Sequence, residues 1–258
     1  MKTTTLPLLK IALVSTLIAG SVHAEYLADK DPVTAGNQPG SVYAPVTLSG
    51  TTMSEGWEQL TSTIYPGNGG FPGTSAWVGA LGSQVGTDAG ANGLGKVSNG
   101  LAGGPYPASS SIYFGGILNI PNTNGGTLEV DASSTGFLSG TKTVVFHLDI
   151  GEAWTYDLYN GTAPVMTVTS SSGTYTVNAS YASRYAKVYN GQVLMNGVYE
   201  DLYINSRAYQ FDLNSVPGTV SGFTITFTGV QHAQIHGLGL QQSTDVYTGT
   251  DALPAHVP

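Results

Sequence analysis

The chain has no cysteine and very little charge. Its 258 residues include 8 Lys and Arg and 16 Asp and Glu, 9% in all, against roughly a quarter in ordinary soluble domains. The missing cysteine excludes disulfide staples, thiol catalysis and zinc–thiolate sites. Basic residues this few, spread singly in a chain of net charge −8, argue against nucleic acid or an anionic membrane as partner. No window carries a convincing 3.6-residue apolar repeat, so amphipathic helices are not expected. No repeat occurs at a solenoid or propeller period. What is abundant is glycine (35), tyrosine (15) and a 41% hydrophobic fraction. That is enough to build a core, and it excludes wholesale disorder.

The first 24 residues read as a secretory signal peptide. Lys2 and Lys10 precede the apolar run Ile11–Ala19, and Val22-His23-Ala24 supplies the small–x–small cleavage pattern. The run is too short for a membrane span of about 20 apolar residues, and no later segment approaches one. The expected mature protein is secreted or periplasmic. A core of this size does without disulfide staples.

Beyond residue 24 the pattern has a period of two. Val144, Phe146, Leu148 and Ile150 alternate with Thr143, Val145, His147 and Asp149. Phe223, Ile225 and Phe227 alternate with threonines, and Tyr209, Phe211 and Leu213 with Ala208, Gln210 and Asp212. Such alternation predicts strands with one face on a core and one toward water. Asn-Gly occurs seven times and is the preferred two-residue hairpin loop. The pairs at 160, 190 and 196 predict an antiparallel meander over roughly 152–204. Tyr181, Tyr185 and Tyr189, spaced by four, offer a short helix as the rival, and strand is preferred for the second half of that stretch. Residues 59–128 hold only two charges, Asp88 and Lys96, and about half the glycines. They predict decorated loops and edge strands. The expected architecture is an all-β, antiparallel two-sheet β-sandwich of jelly-roll type. It comprises an extended arm over 25–42, one domain over 43–244 and a loose tail over 245–258.

Several segments carry candidate chemistry. Gly90–Lys96 matches the spacing of a phosphate-binding loop, but Val97 stands where the magnesium-binding hydroxyl belongs, so it reads as a loop. His147-Leu148-Asp149-Ile150-Gly151-Glu152 is similar to the catalytic strand of laminarinase-like retaining glycoside hydrolases, themselves β jelly rolls. A bulge at Gly151 would bring Glu152 to the face of Asp149, as an acid/base pair. The usual nucleophile position is His147, and the plainer reading is a strand end with solvated carboxylates. Glu129 and Asp131 form a weaker same-face pair. His232 and His236 have H-x-x-x-H spacing, which on an extended segment separates them by roughly 13 Å, too far for one metal ion. Trp57, Trp77 and Trp154 are the candidate sugar-stacking residues. No cofactor is expected. Carboxylates around Asp29/Asp31 or Glu200/Asp201 are the candidate positions for a structural calcium ion.

The signal peptide, the passage Gly104–Tyr113 and the closing strand Ala233–Ser243 together resemble the exported β-sandwich proteins that bacteria sort with exosortase (PEP-CTERM) tails. That group carries a Val-Pro-Glu-Pro anchor and a membrane tail after the last strand, whereas this sequence stops at Val257-Pro258. The resemblance therefore implies release rather than anchoring, and it implies no enzymatic activity. The expected function is a non-catalytic extracellular β-sandwich with a structural or adhesive role at the envelope or matrix. The alternatives are a carbohydrate-binding module and, third, a polysaccharide-cleaving hydrolase using Asp149 and Glu152. Extracellular polysaccharide or other envelope proteins are the expected partners.

Overall fold

Alternating apolar residues form the strands, and those strands stack into two antiparallel sheets. The computed structural model describes residues 46–133 and 135–257. The signal-peptide segment, the arm over 25–42 and the Asp29/Asp31 calcium position lie outside them. One sheet is built from β1 (Thr52–Trp57), β4 (Tyr106–Pro107), β5 (Ile112–Tyr113), β7 (Thr143–Gly151), β10 (Tyr181–Met195), β11 (Val198–Asp212) and β13 (Gln234–Ser243). Its strand order is β10-β11-β7-β13-β5-β4, with β1 also paired to β13. The other sheet contains β2 (Leu81–Gly82), β3 (Gly93–Ser98), β6 (Asn124–Ala132), β8 (Val165–Ser170), β9 (Gly173–Asn178) and β12 (Val220–Val230), in the order β2-β3-β6-β12-β8-β9. From β6 onward the chain passes back and forth between the sheets, the antiparallel sandwich expected from the sequence. Among the described residues the only helical element is a 3-10 turn at Tyr159–Gly161.

The inward faces meet in one core. Val144, Phe146, Leu148 and Ile150 of β7, with Tyr209 and Phe211 of β11, pack toward Phe223, Ile225 and Phe227 of β12 and Leu128 and Val130 of β6. The Phe146 and Phe227 rings lie 5.6 Å apart. Each such side chain contributes about 1.5–3 kcal/mol on leaving water. Phe114 fills the space left by Gly125 and Gly229, where a Cβ would come within 2.8 Å and 2.4 Å of it.

Three expectations are corrected and one rival reading is set aside. The stretch 152–204 is not one meander, because β8 and β9 belong to one sheet and β10 and β11 to the other. Alternation shows which residues share a face, not which sheet a hairpin joins. Of the three Asn-Gly pairs there, only Asn196-Gly197, with φ 52° and 82°, closes a hairpin. Asn190-Gly191 sits within β10 at a register shift between Tyr189 and Gln192, and Asn160-Gly161 lies in the 3-10 turn. Tyr181, Tyr185 and Tyr189 are strand throughout, so the helical rival fails. The tail after 244 is tied down, not loose. Gln210 Nε2 donates to the Thr250 carbonyl and its Oε1 accepts from Ala252 N–H. Ser183 Oγ donates to the Pro254 carbonyl, and Val257 N–H donates to the Arg184 carbonyl.

That tail has a consequence for β7, whose nine residues are all buried. The face expected to meet water, with His147 and Asp149, is covered. The cover includes the tail over Gln210 and the segment around Val46, which exchanges two hydrogen bonds with Gln241.

Candidate functional site

Strand β7 keeps simple alternation to its end, and that decides the fate of the predicted carboxylate pair. Its pairing with β11 is unbroken from Thr143–Asp212 to Gly151–Ile204. The bulge expected at Gly151 lies instead on the neighbouring strand β13, between Ile235 and Gly237. Asp149 therefore shares the outer face with Ser206, its partner on β11. Glu152 accepts a hydrogen bond from Asn205 Nδ2 at 3.2 Å, and Asn205 pairs with the core residue Ile150. The two acids stand on opposite faces of one sheet and form no acid/base pair. Both are buried, so the solvated strand end is also corrected.

Glu152 belongs to a buried polar cluster at one end of the sandwich. Asn205 Nδ2 also donates to Asp157 Oδ2 at 3.0 Å, and Arg207 Nε donates to the same oxygen at 2.9 Å. Asp157 Oδ1 accepts from Leu158 N–H at 2.6 Å. Arg184 and Lys187 are buried alongside, with Lys187 Nζ 4.6 Å from the centre of the Tyr203 ring. Burial pushes the Glu152 carboxyl up to about 7, against the pull of Lys187 and the Asn205 hydrogen bond. The turn joining Glu152 to Asp157 is closed by paired hydrogen bonds between Ala153 and Tyr156. Its central residues, Trp154 and Thr155, have φ of 51° and 72°, strained positions for an aromatic and a β-branched residue. Trp154 is held there edge-on to His232, with ring centres 5.4 Å apart.

A cleft of about 180 Å³ opens beside this turn, lined by Glu152, Thr155, Gln192, Tyr199, Asp201 and Tyr203 among others. Sequence reasoning missed Asp157, Arg184, Lys187, Asn205 and Arg207. The signal for two of them was present. Extending the Tyr209–Phe211–Leu213 alternation backward puts Arg207 and Asn205 on the inward face. Asp157 accepts from three donors, and the cleft beside the cluster is lined by three other carboxyl groups, Glu152, Glu200 and Asp201.

The histidines do not converge on a metal. Among the described residues no group of three or more His, Asp or Glu is arranged to hold an ion, Glu200 and Asp201 included. His232 Nε2–H donates to the Leu118 carbonyl at 3.1 Å, and its Nδ1 accepts from the Tyr113 hydroxyl at 2.6 Å. His236 sits in the β13 bulge, where burial lowers it to about 4. His147 Nε2–H donates to Gln241 Oε1 at 3.0 Å, and burial lowers it also to about 4.

The three tryptophans occupy three separate places. Trp57 is fully buried in the core, with its indole N–H donating to the Leu81 carbonyl at 2.7 Å; it has no face to offer a sugar. Trp154 packs on His232. Trp77 lines a groove of about 430 Å³ on the second sheet, and its indole N–H is fixed on the Pro105 carbonyl at 3.1 Å. The groove is a fork in a ladder. Strands β2 and β3 pair only at Leu81–Leu94 and Gly82–Gly93. Beyond that pair residues 76–80 and 95–99 part, and they supply most of the two walls. Among the described residues no carboxylate lines the groove. The segment resembling a phosphate-binding loop runs from a turn at Gly90 into β3, with no helix following it.

Comparison with protein-family models, curated proteins and solved structures gives no match.

Proposed function

We propose that this protein is a non-catalytic, secreted β-sandwich with an adhesive role at the envelope or matrix, and that it attaches to polysaccharide through the Trp77 groove. The observation that carries this reading is the groove itself. Its about 430 Å³ falls in the range of small-ligand sites. One wall bears an indole fixed by its own N–H, a flat apolar face of the kind that stacks on a pyranose. Thr74, Ser98 and Asn99 supply neutral polar groups along the same groove. The apolar side chains of Val78 and Val97 are exposed around it.

The separation of Asp149 from Glu152 removes that pair as the acids of a retaining hydrolase, because retaining hydrolysis needs two carboxyl groups about 5 Å apart. The test is retention of the purified protein on a panel of immobilised and insoluble polysaccharides. Retention on at least one polymer is expected, without release of sugar, and Trp77→Ala is expected to weaken it by roughly ten-fold, the loss of one stacked ring. Trp57→Phe, a change in the core, is expected to leave retention of the folded protein intact. Retention that Trp77→Ala does not touch would remove the groove from the proposal.

A further inference from the structure

The groove has a charge of its own. Of the five described cations, Arg184, Lys187 and Arg207 are buried in the cluster at the far end of β7, and Lys142 lines neither of the two cavities. Of these five, Lys96 lines the Trp77 groove. Its ammonium donates to the carbonyls of Gly73 at 2.5 Å and Ser75 at 2.9 Å. Two of its three protons are thus held by neutral oxygens, and among the described residues no carboxylate lies within ion-pair distance of it. Partial burial lowers its pKa, in the absence of a compensating anion. Lys96 is a positive charge fixed on two carbonyl dipoles, with one donor left over, in a groove that no acid lines.

From this placement we infer that the groove is selective for acidic polysaccharide, with a pyranose ring on Trp77 and its carboxylate on the Lys96 ammonium. The inference rests on the reading of the Trp77 groove as the attachment site and adds the chemical class of the ligand. The net charge of −8 sharpens it. A chain this acidic has no general attraction for a polyanion, so selective retention of one requires a local cationic site. The contact involves one ion pair, so its salt dependence is shallow.

The experiment compares polygalacturonate with the same polymer after reduction of its carboxyl groups, two ligands that differ in charge and little else. Wild-type protein is expected to bind the acidic form about five-fold more tightly at low salt, the magnitude of one partly exposed ion pair, and to lose that margin as salt rises. Lys96→Met is expected to bind both polymers equally, Lys96→Arg to keep the preference, and Trp77→Ala to weaken both. A thermal unfolding midpoint for each variant separates loss of fold from loss of charge, and Lys96→Arg keeps a cation even if Lys96→Met does not fold. Equal binding of the two polymers by wild-type protein overturns the acidic preference and leaves the groove reading standing. Binding that Trp77→Ala leaves unchanged overturns both, and no binding of either polymer overturns the inference while the groove reading stands or falls with the wider panel. Poly-glutamate bound as tightly as polygalacturonate also overturns the inference, since the open backbone of the fork rather than the ring would then be the recognised feature.

Discussion

Strands β12 and β7 lie in opposite sheets and carry almost the same sequence pattern, yet their outer faces end in different surroundings. In β12, Phe223, Ile225 and Phe227 point inward, and Thr224, Thr226 and Thr228 sit half-exposed on the outside. In β7 the outward residues, His147 and Asp149 among them, are as buried as the inward ones. The difference arises because the segment around Val46 and the tail after residue 244 lie over the first sheet. Their peptide groups are satisfied by long polar side chains on that sheet, Gln210 and Gln241. A polar residue in an alternating strand therefore marks a face opposite the core, and solvent on that face is a separate question.

The comparison is broken most directly in the first sheet. Arg207→Ala leaves the Asp157 carboxylate buried without its ion-pair partner, side chains that are 5% and 3% exposed. A loss of about 3–5 kcal/mol is expected, read as a drop in the denaturant midpoint at unchanged slope. A loss under 1 kcal/mol would mean that water reaches the cluster.

The next effect is on pH dependence. His147 and His236 have folded pKa values lowered to about 4, so the unfolded chain binds more protons between about pH 6.5 and 4, and stability falls on acidification through that window. Glu152, raised to about 7, works the other way: its folded carboxyl holds the proton more tightly, and stability falls as pH rises from about 4.5 to 7. Two histidines outweigh one glutamate, so unfolding midpoints are expected to fall from pH 6.5 toward 4. His147→Gln is expected to remove roughly half of the histidine contribution. An unchanged slope in that variant would show that His147 binds its proton equally well in the folded and unfolded chain.

The smallest effect belongs to the second sheet. Thr224→Ala on the outer face of β12 is expected to cost about 0.5 kcal/mol or less, measured in the same unfolding assay. A cost near that of His147→Gln, on the outer face of β7, would erase the distinction between the two outer faces.

The strands themselves were legible. The alternations at 143–150, 209–213 and 223–228 each became strands with the expected inward residues, because burial of one face needs only a period of two. The Asn196-Gly197 turn was legible for a similar reason, since its two positive φ values are a local requirement. At the site, the position of Glu152 was not. Its face turned on whether the extra residue of a bulge lay in β7 or in β13, and that depends on how two strands distant in sequence line up. Arg207 and Asn205 were hidden by an assumption that inward positions are apolar. Trp77 was named, but nothing local separated it from Trp57, which the core absorbs. What sets them apart is where β2 and β3 stop pairing.

The amino-acid sequence alone determined the class of object: an all-β sandwich whose chemistry does without thiols. Composition and periodicity act residue by residue, and they suffice for that. Tertiary structure decided which polar side chains meet water, which carboxylates meet each other, and that one tryptophan and one lysine share a groove. Those outcomes depend on the register of strands far apart in sequence and on where the segments around Val46 and after residue 244 are laid, and neither is written in any local stretch of residues.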